Sequence, residues 1–484
     1  MKTQIRRVAM LLLACAAAAV APLSAQVNFS KYVALGDSYA AGFSAGCLVQ
    51  RNQQFSAPAT LARQFGITDF QQPTVSDPGI PTCTGLKTIV PSVTFGPIST
   101  KTGAPTNLTL ARSYDNLAVP GFRIADVSDT LTDSGGFADL ILRGKGSALN
   151  QALALNPTFI TLGIIGNDIL NAAGAALFLD GVTVTPLAVY TAKYNAVAAA
   201  LKASGRTGIF LGTPDLRVLP LLSTIKPVVT VGGNTIPLLG PGDAAFPCPT
   251  GVAACPLPAG TLVTLGANAP LPALGGKSLL SLGFGIPCAV AALPQCGKPL
   301  PVGTFTPPST VNVGVVLYPD VFAQIDKRAQ DYNVVIKAAA DANGFKYFDT
   351  YALAQDFIVN GRTYGGIHVT KDFVTGGLFA YGNAVHLSNI GYTALADEVI
   401  QFINAAYGTS IERPNVATAL FTPDVPAPGS TVISPLDTGV FFTEETWRGF
   451  FEEFPFQDAS IKAVFPGEMA LESADRAPVV RVKR

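Results

Sequence analysis

The sequence predicts an α/β fold built around a parallel sheet, because short apolar segments alternate with helical segments along most of the chain. The segment 159–165 is nearly all apolar and rich in β-branched residues, which is typical of a strand covered on both faces. Hydrophobic residues make up 49% and charged residues 13% of the 484 residues, so a large core can form and general disorder is excluded.

The predicted elements alternate in type from the beginning of the fold to its end. Apolar runs predict strands at 32–35, 159–165, 208–212 and 346–348. A further strand, the second along the chain, is predicted to end near Ala118. Helical patterns predict helices at 52–65, 122–133, 147–155, 184–204, 320–343 and 388–407. Asn343-Gly344 is a typical helix end, and Ser388 can cap the last helix. Residues 67–112 are rich in Pro, Gly and Thr and predict an irregular segment.

Two regions do not follow this alternation. Residues 219–305 contain four charged residues, many Pro and Gly and four cysteines, and predict an insertion of short strands and loops pinned by disulfides. Such an insertion is either an apolar lid or plain surface structure, and we slightly favour the second interpretation. Residues 411–484 predict a C-terminal tail strapped onto a main domain that spans residues 26–410.

The tail contains one apolar stripe. Trp447, Phe450, Phe451 and Phe454 recur at the spacing of one helix face. Docking on the body of the protein is the favoured interpretation, and association with a partner or a membrane surface, through the tail or the insertion, is the alternative.

The first 25 residues have the pattern of a signal peptide. Lys2, Arg6 and Arg7 precede a continuous apolar run at 8–21, and a Leu-Ser-Ala cleavage site ends at Ala25. A lipoprotein signal at Cys15 ranks second, because it leaves a very short apolar region. We therefore expect an exported protein that is periplasmic, bound to the outer envelope or secreted.

Cysteine usage agrees with export. Without Cys15 six cysteines remain, which allow fifteen pairings. The simplest pairing joins Cys47 to Cys83 and leaves two local pairs in the insertion, 248/255 and 288/296. A metal site is not expected, since no Cys-x-x-Cys occurs and the chain has only 2 histidines. Equal numbers of basic and acidic residues, 32 each, disfavour nucleic acid as a partner.

Four short motifs carry candidate chemistry. Gly-Asp-Ser-Tyr at 36–39 follows the first predicted strand and projects the Ser38 hydroxyl from a strand-to-helix turn. Gly121 follows the second strand, and its backbone N–H can face a developing oxyanion. Asn167 follows the strand 159–165 and offers a side-chain N–H for the same oxyanion. His386 precedes the last helix and can reach across the top of the sheet to Ser38.

In this order the motifs resemble the four blocks of the SGNH/GDSL hydrolase family, over roughly residues 30–407 without the insertion. The resemblance implies a flavodoxin-like three-layer α/β/α sandwich with esterase or lipase activity. It implies Ser38 as nucleophile, His386 as base, and the N–H groups of Ser38, Gly121 and Asn167 as the oxyanion hole. No cofactor is expected, and the expected partner is a small-molecule or lipid ester.

Two positions depart from the family pattern. Ile165 stands where the family usually has glycine, and Asn383 stands where it usually has the aspartate of the catalytic triad. An asparagine can orient His386 through its amide oxygen but supplies no negative charge. The departure at Asn383 supports one alternative, a catalytically inactive SGNH-like domain that binds glycan or lipid at the cell envelope. A structural envelope protein is the third interpretation.

Overall fold

The computed structural model describes residues 27–88, 93–231, 233–269, 274, 277–371, 377–380, 385–421 and 440–442. The predicted signal peptide and the stripe around Trp447 lie outside the described residues. The strands are β1 (Tyr32–Gly36), β2 (Thr84–Thr88), β3 (Val93–Pro97), β4 (Phe159–Gly163), β5 (Thr207–Leu211), β6 (Val228–Val231), β7 (Asn234–Pro237), β8 (Leu239–Gly240), β9 (Cys255–Pro256), β10 (Leu262–Val263), β11 (Thr304–Thr306), β12 (Thr310–Asn312), β13 (Val316–Leu317), β14 (Lys346–Phe348), β15 (Arg362–Tyr364), β16 (Ile367–Val369) and β17 (Val440–Phe442).

Helices occur between most of these strands. They are α1 (Ser38–Ala41), α2 (Gln50–Gln53), α3 (Ala57–Gln64), α4 (Asp126–Asp129), α5 (Phe137–Leu142), α6 (Ala148–Ala154), α7 (Leu170–Ala175), α8 (Leu187–Leu201), α9 (Pro220–Ser223), α10 (Leu279–Leu282), α11 (Pro319–Asn343), α12 (Thr350–Val359) and α13 (Asn389–Tyr407). Short 3₁₀ turns lie at Leu216–Val218, Leu265–Asn268 and Val416–Phe421. The prediction of a mixed α/β fold is confirmed.

A parallel sheet lies at the centre, with its strands in the order β1, β4, β5 and β14. A single parallel bridge between Ala34 and Asn116 extends the sheet beyond β1. Because all these strands run in one direction, their carboxyl ends meet at one edge. The loops that follow β1, β4, β5, β14 and the Asn116 bridge therefore gather there.

Helices pack on both faces of the sheet. Phe159 of β4 packs against Tyr407 of α13, with ring centroids 6.2 Å apart. Phe210 of β5 packs against Tyr194 of α8 at 5.8 Å. Phe159 lies opposite Thr207, so Phe159 and Phe210 point to opposite faces of the pleated sheet. Both faces are thus covered, which explains why these strands are nearly all apolar.

The second predicted strand is an irregular segment that runs beside β1. Asn116 forms a parallel bridge to Ala34, and backbone hydrogen bonds join the segment to Ala34 and Gly36 of β1. The Asn116 side chain accepts from the Ala118 N–H at 3.2 Å and donates to the Ala40 carbonyl at 2.8 Å. These side-chain bonds tie the segment to α1. The helix predicted at 122–133 is reduced to Asp126–Asp129.

The first residues of the tail pack on the body. Arg413 forms an ion pair with buried Asp397 of α13, and Gln64 of α3 donates to the Glu412 carbonyl at 2.7 Å. Val416 is buried in the main core. Residues 411–421 therefore cover the side of the fold formed by α3 and α13. Farther along, β17 pairs with β3 in parallel.

Three disulfides join the six cysteines: Cys47 to Cys83, Cys248 to Cys255 and Cys288 to Cys296. Disulfides of this kind persist in oxidising compartments, which indicates an extracellular or periplasmic environment. Among the described helices, none combines the length and the apolar character that a membrane span requires.

The loss of the Cys47–Cys83 disulfide should be the most costly of the three. The Cys47–Cys83 disulfide joins residues 36 positions apart, whereas Cys248–Cys255 joins residues 7 positions apart. Because a longer closed loop restricts the unfolded chain more, removal should lower the free energy of unfolding by about 3–4 kcal/mol in a Cys47→Ala/Cys83→Ala variant. The matched variant Cys248→Ala/Cys255→Ala should lose roughly 1 kcal/mol less in urea unfolding. Equal losses would contradict this ranking.

A buried carboxyl joins three elements near the carboxyl edge of the sheet. Asp168 is 3% exposed and accepts from the Ile124 N–H at 3.0 Å and from the Thr185 hydroxyl at 2.6 Å. Burial raises the pKa of Asp168 to about 6, and the two hydrogen bonds oppose this rise. Folding therefore favours the protonated carboxyl, and its contribution to stability falls as the pH rises from about 4 to about 6.

Asp168→Asn should remove this pH dependence while keeping both contacts. The amide oxygen still accepts from Ile124, and the amide N–H can donate to the Thr185 oxygen. Relative to the wild type, the variant should gain of order 1–3 kcal/mol in the free energy of unfolding between pH 4 and pH 7. Urea unfolding at the two pH values measures this difference. A difference that does not change with pH would show that Asp168 does not titrate in this range.

Candidate active site

The turn between β1 and α1 is held by a close backbone approach. A Cβ on Gly36 would lie 2.5 Å from the Ala40 Cβ and 3.0 Å from the Gly163 carbonyl oxygen, so only glycine fits there. Asp37 caps α1, with Oδ1 accepting from the Tyr39 N–H at 3.0 Å. Ser38 is thereby placed at the first position of the helix, directly after the carboxyl end of β1.

The same Asp37 reaches the neighbouring strand. Its Oδ2 accepts from the Ile165 N–H at 2.9 Å, at the start of the loop that follows β4. Burial raises the pKa of Asp37 to about 7, while the N–H groups of Ile165 and Tyr39 and the nearby His386 lower it. Asp37 therefore ties the turn that carries Ser38 to the loop that carries Asn167.

Ser38 and His386 meet at this edge of the sheet. The Ser38 Oγ lies 2.8 Å from the His386 Nε2, although the two residues are separated by 348 positions. Ser38 is 4% and His386 1% exposed, so water screens their hydrogen bond little. The imidazole lies near the rings of Phe43 and Tyr39, with centroids 4.8 and 5.6 Å away. Two of the residues predicted from sequence are thus in direct contact.

The backbone around His386 is held at three successive carbonyl groups. The Tyr39 hydroxyl donates to the Val385 carbonyl, and the Ser44 hydroxyl donates to the Leu387 carbonyl at 2.9 Å. The His386 carbonyl accepts from the Ala380 N–H at 2.9 Å. Two of the three donors come from the segment that follows Ser38. The segment that follows Ser38 therefore positions the His386 imidazole.

The two predicted oxyanion loops flank the Ser38 turn. The Val119 N–H donates to the Gly36 carbonyl at 3.0 Å, which holds the loop of Gly121 beside the end of β1. Gly121 has a φ of 85°, a conformation that favours glycine. The Asn167 side-chain amide donates to the Phe122 carbonyl at 3.0 Å and so joins the two loops. An amide carries two N–H groups, so one remains for a ligand.

The remaining sequence-predicted positions have different outcomes. Asn383 lies outside the described residues. The Ile165 N–H donates to Asp37, which fixes the start of the loop that carries Asn167. The other histidine of the chain, His368, has no predicted role and lies exposed in the β15–β16 hairpin, beside Thr363.

Sequence reasoning missed three residues that hold the site together: Asp37, Tyr39 and Ser44. Asp37 and Tyr39 flank Ser38 in the motif, so their proximity was a usable signal. Ser44 had none, because its partner is a backbone carbonyl more than three hundred positions away. Asn333 of α11 donates to and accepts from the backbone of Thr213, which fixes the loop after β5.

The site consists of a buried hydroxyl–imidazole pair between two loops that present N–H groups. Within the described part of the chain, no group of three or more His, Cys, Asp or Glu side chains could hold a metal ion. No family model, curated protein or solved structure matches the chain. A function is therefore inferred from the chemistry of these residues.

Proposed function

We propose that the protein is a serine ester hydrolase of the SGNH/GDSL type that cleaves carboxylic esters. The observation that carries this proposal is the 2.8 Å contact between the Ser38 Oγ and the His386 Nε2. A hydroxyl hydrogen-bonded to an imidazole is the arrangement that activates serine as a nucleophile. The contact lies beyond the carboxyl ends of parallel strands, where ligands bind in sheets of this class.

In the first half of the proposed reaction His386 takes the proton of Ser38 through Nε2. The Ser38 Oγ attacks the ester carbonyl carbon, and the carbonyl π electrons move onto oxygen. The backbone N–H groups of Ser38 and Gly121 and the second amide N–H of Asn167 stabilise that oxyanion. As the tetrahedral intermediate collapses, the C–O bond to the alcohol breaks and His386 protonates the leaving oxygen.

In the second half a water molecule replaces the alcohol. His386 takes a proton from the water, whose oxygen attacks the carbonyl carbon of the acyl-serine. Collapse releases the carboxylic acid and returns the proton to the Ser38 Oγ. We propose that Asn383 orients the imidazole through its amide oxygen, which supplies direction without a full negative charge.

Strand order supports the family assignment. Numbered along the chain, the Asn116 bridge strand, β1, β4, β5 and β14 have the order 2-1-3-4-5 across the sheet. This is the flavodoxin-like order. With helices on both faces, the fold is proposed to be the three-layer sandwich that the resemblance implies.

Export is part of the proposal. The signal pattern at 1–25 and the three disulfides both favour a periplasmic, outer-envelope or secreted location.

A fluorophosphonate probe should label Ser38 of the folded protein. The probe phosphorus accepts the activated Oγ, and loss of fluoride leaves a stable adduct. Peptide mass mapping should locate the adduct, and Ser38→Ala should remove both labelling and hydrolysis of p-nitrophenyl butyrate. Ser204→Ala, in an exposed turn before β5, is the matched serine control and should keep labelling at Ser38. Labelling of another serine, or of none in a folded sample, would overturn the proposed nucleophile.

Asn167→Ala should lower kcat by about 10²-fold or more with little change in KM, because the lost N–H donor acts mainly on the transition state. Asn171→Ala, a nearby buried asparagine of α7, is the control for structural effects. Steady-state kinetics with p-nitrophenyl butyrate separate the two parameters. A change confined to KM would assign Asn167 to substrate binding.

A further inference from the structure

The Cys47–Cys83 disulfide lies in a small apolar cluster beside the loop that carries His386. The cluster contains five residues, each at most 1% exposed: Ala45, Cys47, Val49, Cys83 and Ala380. None of the five belongs to the main hydrophobic core. A change at this disulfide therefore acts on the cluster first, and the main core keeps its packing.

Cys47 ends a tight turn that begins at Ser44. The two residues exchange backbone hydrogen bonds of 3.0 Å in both directions, and Ala45 and Gly46 between them have φ values of 51° and 74°. A left-handed φ is unfavourable for alanine, so the turn needs neighbours that hold it. One such neighbour is Thr84, directly after the partner cysteine, whose N–H donates to the Ala45 carbonyl at 2.7 Å. The disulfide thus joins the two segments that shape this turn.

The turn and the cluster hold two successive carbonyl groups of the histidine loop. The Ser44 hydroxyl donates to the Leu387 carbonyl at 2.9 Å. The Ala380 N–H donates to the His386 carbonyl at 2.9 Å. Ser44 begins the turn that Cys47 closes, and Ala380 packs in the cluster of the disulfide. Both of these supports therefore depend on segments that the disulfide connects.

The other two disulfides lie in the insertion at 219–305 and provide matched controls. Cys248–Cys255 and Cys288–Cys296 join residues 7 and 8 positions apart, and none of these four cysteines is buried. Each closes a short loop, whereas the buried third disulfide joins the segment after the nucleophile to the start of β2. An effect confined to that disulfide therefore reports its place beside the histidine loop.

We propose that the Cys47–Cys83 disulfide positions His386, so that the protein hydrolyses esters only in its oxidised form, an inference that rests on the proposed hydrolase function. Without the S–S bond the turn at Ser44 relaxes, and two carbonyl groups of the histidine loop lose their fixed donors. The His386 Nε2 then leaves its 2.8 Å contact with the Ser38 Oγ. The nucleophile loses its base although the main core is folded.

The reduced form arises by thiol–disulfide exchange with a dithiol reductant. Two electrons and two protons pass from the dithiol to the disulfide, the S–S bond breaks, two cysteine thiols form and the dithiol becomes a cyclic disulfide. Disulfides persist in oxidising compartments and are rare in the cytosol. A chain that is still reduced before export would thus be unable to hydrolyse esters, and oxidation after export would switch hydrolysis on.

Removal of the disulfide should lower kcat rather than raise KM. In Cys47→Ala/Cys83→Ala, kcat for p-nitrophenyl butyrate should fall at least about a hundredfold with KM unchanged within about twofold, because a displacement of about 1 Å at the reacting groups costs about 10²-fold in rate. The control Cys248→Ala/Cys255→Ala should keep both parameters within about twofold. Wild-type protein refolded in dithiothreitol should behave as the first variant and recover on oxidation. Circular dichroism verifies folding in each sample, and equal kcat values in the two variants would overturn the inference.

Ala45→Gly distinguishes positioning from plain packing. Glycine adopts a left-handed φ without strain, so the turn holds better when the disulfide is absent. In the Cys47→Ala/Cys83→Ala background, Ala45→Gly should therefore raise kcat at least about threefold. If the disulfide contributed only packing, loss of the buried Ala45 methyl group would lower kcat further, and that result would overturn the positioning role.

Nuclear magnetic resonance tests the position of His386 without any turnover. The chain has 2 histidines, so histidine-labelled protein gives two sets of imidazole signals, and exposed His368 is the internal reference. Cys47→Ala/Cys83→Ala should shift the His386 signals and leave those of His368 unchanged, whereas the control variant should change neither. If the wild type hydrolyses no ester but His386 responds in this way, the positioning role stands and the hydrolase function fails. If esters are hydrolysed and His386 does not respond, the positioning role fails.

Ser44→Ala keeps the disulfide and tests the same connection if the cysteine variant does not fold. It removes the donor to the Leu387 carbonyl, so kcat should fall about tenfold or more, with KM unchanged within about twofold, and the His386 signals should shift. In a folded Cys47→Ala/Cys83→Ala protein the further loss from Ser44→Ala should be below about threefold, since both changes act through one carbonyl. An unchanged kcat together with unchanged His386 signals in Ser44→Ala would overturn the inference.

Discussion

The carboxyl group of Asp37 connects the segments on which the site depends. One oxygen accepts the Tyr39 N–H and fixes the start of α1, and the other accepts the Ile165 N–H and fixes the loop after β4. A buried carboxylate loses its hydration, and its pKa of about 7 reflects that cost. The two N–H bonds offset part of this cost. Asp37 thereby fixes the relative positions of Ser38 and Asn167, although it contacts neither the ester nor the imidazole in the proposed reaction.

A second constraint brings the end of the fold to its beginning. Tyr39 and Ser44, from the segment after Ser38, donate to the carbonyls on either side of His386. These bonds form only when α13 is docked, because the partners are separated by more than three hundred residues. The contact between Ser38 and His386 therefore requires the complete sheet and its last helix. The Cys47–Cys83 disulfide stabilises the same neighbourhood through a covalent bond.

Polar and apolar parts of the crevice are kept separate. The hydrogen-bonding groups lie at the ends of β1 and β4, whereas a small apolar cavity toward β14, lined by Pro214, Thr350 and Phe357 among others, has its hydroxyl groups bonded to backbone carbonyls. Asn333 of α11 fixes Thr213, directly before the Pro214 that lines this cavity. The polar groups of the proposed reaction are thus confined to one part of the sheet edge.

The sequence by itself determined the alternation of strands and helices and the turn of Ser38, because these depend on local patterns of apolar and glycine residues. It indicated the observed cysteine pairs only as the simplest of fifteen possible pairings. It also proposed His386 as the partner of Ser38, through the order of four motifs. It did not determine the contacts of the Asn116 side chain with Ala118 and Ala40, since only the folded neighbours provide these hydrogen-bonding groups. The roles of Asp37, Tyr39 and Ser44, and the cavity beside them, were decided by the tertiary structure alone. They arise from contacts between distant segments, and the spacing of residues along a chain does not specify which distant backbone groups a side chain will meet.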